Sequence, residues 1–236
     1  MSKARLTFAA AATAALAATT LAAGPASTVA APATHTWRQQ HDQPGQARSS
    51  SYLPNEREKA QNARLQQNLD AALKHAAADK AAGHASGKRV ATVTVYYDDS
   101  QAPSFDALID QGAAIWNSRV SNVQLVEGNS SNASLAYYEG TDPSGSYYYG
   151  DGHGSGYVFL DYDQANVYAP QRIVTHETGH ALGLPDRYTQ PCSKLMSGGG
   201  PGPSCTNPYP DSVEASEVDM LWANGFTALQ GLAKVG

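Results

Sequence analysis

The stretch THETGHALGLPDRY, Thr175 to Tyr188, holds two histidines, two carboxylates and two glycines within fourteen residues. Read as a helix, it places His176 and His180 four residues apart on one face, where both imidazoles can reach a single ion, with Glu177 beside them. A catalytic zinc takes three nitrogen or carboxylate-oxygen ligands from the protein and keeps a fourth position for water. Gly183 can adopt the positive φ that ends a helix and turns the chain back, and Asp186 is then the first residue able to ligate. Leu184-Pro185 stiffens that approach, and Gly179 leaves the helix bare next to the site. On this reading His176, His180 and Asp186 hold Zn2+, Glu177 is the general base for a zinc-activated water, and peptide hydrolysis needs no protein nucleophile. The one GxSxG run, Gly152 to Gly156, lacks the strand-turn-helix context of a nucleophile elbow. HExxH by itself also fits an amphipathic helix with accidental spacing, and the glycine turn and third ligand argue against that.

Working outward, ATVTVYYDD (residues 91–99) alternates Val93 and Val95 with threonines and reads as a strand. Ser104 then precedes Phe105, Leu108, Ile109, Ile115 and Trp116, a helical face with Ser104 as N-cap. NVQLVEG, ASLAYYEG and GYVFLDY read as further strands, and SGYVFL (155–160) is the expected edge strand over the cleft, where an extended substrate would add to the sheet. A last helix is expected from about Val213 to Asn224, with Asp211 and Glu214 spaced as a capping box and Gly225 as its stop. This order predicts an α/β (α+β) domain: a small twisted, mostly parallel sheet with an edge strand over the cleft, an active-site helix and a C-terminal helix.

Ahead of it lies a different composition. Residues 1–91 contain 11 Lys+Arg and 5 Asp+Glu, whereas residues 92–236 contain 5 and 16, nets of +6 and −11. Lys3 and Arg5, the nearly uncharged run Leu6–Ala23 and the small residues after it read as a secretory signal peptide over 1–30. The alternative, a membrane anchor, fits the Ala/Thr-rich run ending at Gly24-Pro25 less well. Residues 31–91 read as a pro-segment: Gln39 to Ser51 as disordered, Asn55 to Ala82 as helical with Leu65, Leu69 and Leu73 in one stripe. Its net charge suggests docking on the acidic domain by charge complementarity, weakened by salt. The domain, 92–236, lacks the Lys and Arg that nucleic acid or anionic membranes require, which leaves proteins as its targets. Two cysteines, Cys192 and Cys205, most simply form one disulfide in an exported protein.

The residues HETGHALGLPD resemble the HExxHxxGxxD variant of the metzincin zinc signature. CSKLMSGGGPGPSCTNPYP resembles the Met-turn region of the snapalysin family, small secreted neutral metalloendopeptidases, and the similarity runs from about Ala91 to Gly225 through APSF, IWNS, YYEG, DGHG and FLDY. The resemblance implies a metzincin-like fold, with His176, His180 and Asp186 as zinc ligands and Glu177 as catalytic base. It further implies Tyr188 as a hydrogen-bond donor to the oxyanion, Met196 beneath the metal, and a Cys192–Cys205 disulfide. It also implies a preference for an aromatic residue just after the scissile bond, a monomer, and bound Ca2+. For calcium an aspartate is expected near 169, where this chain has Ala169.

Other residues are read more plainly. Tyr188 on its own could be a packing tyrosine. His153 reads as part of a solvated turn, Tyr147-Tyr148-Tyr149 as a half-exposed loop or a substrate contact, and His75 and His84 as solvated. Asn129 and Asn132 stand in NxS sequons. Two function classes are weighed: a secreted zinc endopeptidase made as a proenzyme, and a secreted binding module with a structural zinc. The second needs a fourth protein ligand that is not visible.

Overall fold

The structure is a computed structural model and describes residues 49–56, 58–83 and 91–223. The run read as a signal peptide, most of the stretch read as disordered, His84 and Gly225 lie outside the described residues. Strand β2 (Val93–Gln101) buries Val95, Tyr97 and Asp99 on one face, as its alternation requires. It pairs in parallel with β3 (Val123–Glu127) on one side and β4 (Leu135–Gly140) on the other. Next come β6 (Gly156–Asp161), parallel to β4, and β5 (Tyr147–Gly150), antiparallel to β6. With β1 (Ser49–Ser51) outermost beside β5, the order β1-β5-β6-β4-β2-β3 makes a six-stranded, mostly parallel sheet, so the expected architecture holds.

The edge is not the expected one. SGYVFL forms β6 and lies inside the sheet, between β4 and β5. Its burial explains this: residues 157–161 are all buried, as a near-continuous apolar run is when both faces of a central strand are covered. Among residues 92–223 the edge beside β6 is β5, the tyrosine run read as a loop. Outside β5 lies β1 (Ser49–Ser51), from the segment read as disordered, with Ser49 opposite Tyr149, Ser50 opposite Tyr148 and Ser51 opposite Tyr147. Three serines carry no strand pattern, but an open edge offers backbone partners to any extended chain.

Helix α1 (Lys59–Ala81) continues from β1 and buries Gln61, Leu65 and Leu69, while Leu73 remains 39% exposed. Within this segment Lys59 pairs with Glu56 and His75 with Asp79. Toward the domain, Gln61 donates to the carbonyl of Gly150 and Arg64 to those of Gly150 and Asp151, beside the backbone pairing of β1 and the burial of Leu65 and Leu69.

Helix α2 (Asp106–Asn117) starts one residue after Phe105, and Ser104 does not cap it: the serine hydroxyl and amide bond the Glu139 carboxylate instead. After the short α3 (Tyr162–Val167) comes α4 (Pro170–Ala181), with a proline in its first turn, where its missing N–H costs nothing. Trp116 of α2 donates to the carbonyl of Thr175, and Gly112 lets the two helices close in, since a Cβ there would stand 3.3 Å from Val174 Cγ1. The last helix, α5 (Ser212–Trp222), has the expected capping box of Asp211 and Glu214.

Asp99 is only 7% exposed, and burial, with Asp106, Glu127 and Asp110 nearby, pushes its carboxyl up to about 6. A carboxyl whose folded value is raised favours folding in its protonated form; that contribution is full below its ordinary value and is lost as pH rises through about 6. Asp99→Asn should therefore melt higher than the parent at pH 7, with the gap closing toward pH 4. A gap in Tm that stays constant with pH would contradict this.

Candidate metal centre

α4 ends in a turn that does two jobs. Gly183, with φ of +104°, sends its amide to the His180 carbonyl, and the Leu184 amide reaches the Gly179 carbonyl, the paired bonds of a Schellman ending. A Cβ on Gly183 would stand 2.9 Å from the Gly152 carbonyl oxygen, so glycine is required by space as well as by φ. Past the turn, the Leu184 carbonyl accepts from His180 Nδ1 at 2.8 Å, and the Leu195 carbonyl accepts from His176 Nδ1 at 3.0 Å.

Those two bonds assign the tautomers. With Nδ1 donating, each Nε2 carries a lone pair, and the two Nε2 atoms lie 3.1 Å apart. Asp186 Oδ1 stands 3.1 Å from one and 3.2 Å from the other, and all three side chains are buried. Three acceptors facing one another without a donor repel, and a cation between them reverses the sign. Tetrahedral zinc with bonds of about 2.0–2.1 Å has ligand–ligand edges of about 3.3 Å, so this donor set fits zinc. Among the described residues this is the only such group of three. Burial lowers His176, which keeps its imidazole neutral.

Glu177 is fully buried, and the Tyr148 backbone is the donor that approaches its carboxylate. Burial first, then the charges of Asp186 and Glu58, push it well above the usual carboxylate range.

Beneath the site a 3₁₀ turn, Leu195–Ser197, presents the buried Met196. A Cβ on Gly179 would come 2.7 Å from Met196 Sδ, which gives the bare helix side its reason. Sequence reasoning missed what holds this turn. The buried Arg172 guanidinium donates to the carbonyls of Lys194, Leu195, Gly198 and Asn207 and to the Ser197 hydroxyl. From the other side the Glu214 carboxylate accepts the amides of Leu195 (3.0 Å) and Met196 (2.9 Å) as well as that of Asp211. The capping box was legible in the sequence; that its glutamate also clamps the turn orienting His176 was not. The Cys192–Cys205 disulfide is formed, with Cα atoms 5.6 Å apart.

Tyr188 contacts the N-terminal segment. Its hydroxyl donates to the Ser51 carbonyl at 2.7 Å and also contacts Glu58 Oε2. Burial, with Asp186 and Glu58 nearby, raises the phenol, while burial, aided by Asp186, pushes Glu58 up to about 7. His153 departs from the solvated reading: it is buried and stacks on Trp222 with ring centroids 3.9 Å apart. His75 is exposed, as expected. Ala169 precedes α4 and makes no side-chain cap bond.

A helix carrying two histidines, a glycine turn and an aspartate beyond it, packed on a mostly parallel sheet, define the metzincin-like class of small proteases. The chain belongs to the Streptomyces extracellular neutral proteinase (M7) family, which it matches over residues 92–225. It is 51% identical over 213 residues to an extracellular small neutral protease of Streptomyces lividans, covering 90% of this chain and 88% of that one. It is 63% identical over 134 residues to an extracellular small neutral protease of Streptomyces caespitosus, covering 57% of this chain and all of that one.

Glu214→Ala should lower zinc affinity about 10- to 100-fold, although Glu214 ligates nothing, because the Leu195 carbonyl loses its support. Zinc titration against a chelating dye measures this, and an unchanged affinity would show that Leu195 is held without it. Gly183→Ala should cost roughly 1–3 kcal/mol in chemical denaturation, through its positive φ and the Gly152 carbonyl.

Proposed function

We propose that this protein is a secreted zinc-dependent endopeptidase, made as a precursor and directed at extracellular proteins. The observation that carries the reading is the convergence of three bare lone pairs beside the buried Glu177. His176, His180 and Asp186 would hold zinc, which when bound lowers the pKa of a water and polarises a peptide carbonyl. Glu177 takes a proton from the attacking water and returns it to the leaving amine. Tyr188 donates to the oxygen that gains charge in the transition state. Family membership and the printed names of the relatives support peptidase activity and export. No described helix is long and apolar enough to cross a membrane.

Residues 1–30 act as signal peptide, 31–91 as pro-segment and 92–236 as catalytic domain. The domain works as a monomer on protein or peptide substrates, and its acidic surface disfavours nucleic acid. Preference for an aromatic residue after the scissile bond is supported by the space that Tyr52 fills, edge-on to Tyr168 and to His176. Ca2+ near residue 169 has no carboxylate at that position to support it.

Glu177→Gln should retain about one zinc yet hydrolyse casein roughly 10²- to 10⁴-fold more slowly. Tyr188→Phe should lose about 10²-fold in kcat with KM little changed. A zinc-loaded parent that leaves casein intact would make the metal structural and overturn the reading.

A further inference from the structure

The segment before residue 91 does more than lie near the site: it runs through it. β1 is antiparallel to the edge strand β5, and the pairing continues past it, with the Tyr52 amide donating to the Ser146 carbonyl at 3.2 Å. On its other side the Tyr52 carbonyl accepts the Gly199 amide at 2.8 Å. Tyr52 is thus held by main chain from both walls of the groove, one the sheet edge and the other the loop after the Met196 turn. The Tyr52 ring is fully buried, 5.2 Å from the His176 ring and 5.4 Å from Tyr168. Where Gly198 lacks a Cβ, one would stand 2.5 Å from the Tyr52 carbonyl oxygen and 3.1 Å from His176 Cε1, which brings that backbone up to the metal-ligand ring. The preceding carbonyl, that of Ser51, accepts the Tyr188 hydroxyl at 2.7 Å.

Beyond this point the chain is fastened again. Asn62 takes the Asp186 amide on its Oδ1 at 2.6 Å and donates to the Asp186 carbonyl at 3.4 Å, and Glu58 contacts Tyr188. An extended backbone paired to the sheet edge, with one carbonyl on the tyrosine and the next side chain sunk beside the histidines, is how a peptide substrate would be held.

We propose that the Ser51–Tyr52 peptide bond is this protein's own first substrate, cut within the same molecule as the opening step of maturation. The proposal rests on the metallopeptidase reading above. The step is a hydrolysis: the water oxygen bonds to the Ser51 carbonyl carbon, the C–N bond to Tyr52 breaks, and Glu177 passes the water proton to the Tyr52 nitrogen. Ser51 is left with a carboxylate and Tyr52 with an amine.

The test uses the full chain, purified metal-free and started by adding zinc, with quenched samples read by intact mass. The first new species should begin at Tyr52, and its initial rate per molecule should not change on about tenfold dilution, as an intramolecular reaction requires. Tyr52→Asp should slow this cut by about 100-fold. A readout without turnover comes from hydrogen exchange in full-length Glu177→Gln, where the Tyr52 and Gly199 amides should be protected and Tyr52→Asp should expose both. A first cut elsewhere, a rate that falls with dilution, or a Gly199 amide that exchanges equally fast in both backgrounds overturns the proposal. Casein cut by a chain whose Ser51–Tyr52 bond persists sinks this inference alone. If neither casein nor the chain is cut with zinc bound and Gly199 protected, the peptidase reading falls and takes the inference with it.

Discussion

Two imidazole nitrogens and a carboxylate oxygen, each presenting a lone pair to the others across about 3 Å, are an arrangement a folded chain cannot hold unaided. Much of the domain is organised to impose it. α4 supplies both rings from one face, its glycine ending returns the chain so that Asp186 arrives opposite, and two backbone carbonyls point the rings by taking their Nδ1 protons. One of those carbonyls belongs to Leu184, in the turn that ends the helix, and the other to Leu195, in the turn that carries Met196. Helix termination and ligand orientation are therefore one piece of geometry at His180. At His176 the orientation depends on a longer chain of supports through Arg172 and Glu214.

That difference marks what could be read from the sequence. The clustering of His176, His180 and Asp186, the glycine turn, the disulfide and the mixed α/β architecture were legible because each depends on local spacing or on a short chemical signature. The supports were not, because Arg172 and Glu214 act through carbonyls and amides that only the fold brings near them. His153 shows the same limit: DGHG reads as a polar turn, yet α5 lays Trp222 across the imidazole and buries it.

The sheet edge was misplaced for a different reason. SGYVFL, the expected edge, carries the apolar content of a strand covered on both faces. Tyr147-Tyr148-Tyr149, ending in glycine, lacks alternation, and Ser49–Ser51 lacks any strand preference, so their pairing follows from backbone complementarity and from nothing in their side-chain pattern.

The pairing of β1 with β5 also bears on solubility. An uncovered edge strand with a row of tyrosines presents unpaired N–H and C=O groups to any neighbouring chain, a template for intermolecular sheet growth. While β1 is in place that template is capped from within the same molecule. Once it is gone, β5 protects itself only by being four residues long and ending in a glycine. The same opening that admits a peptide to the groove thus exposes the surface at which copies of the domain could stick together, and the brevity of β5 keeps the first without the second.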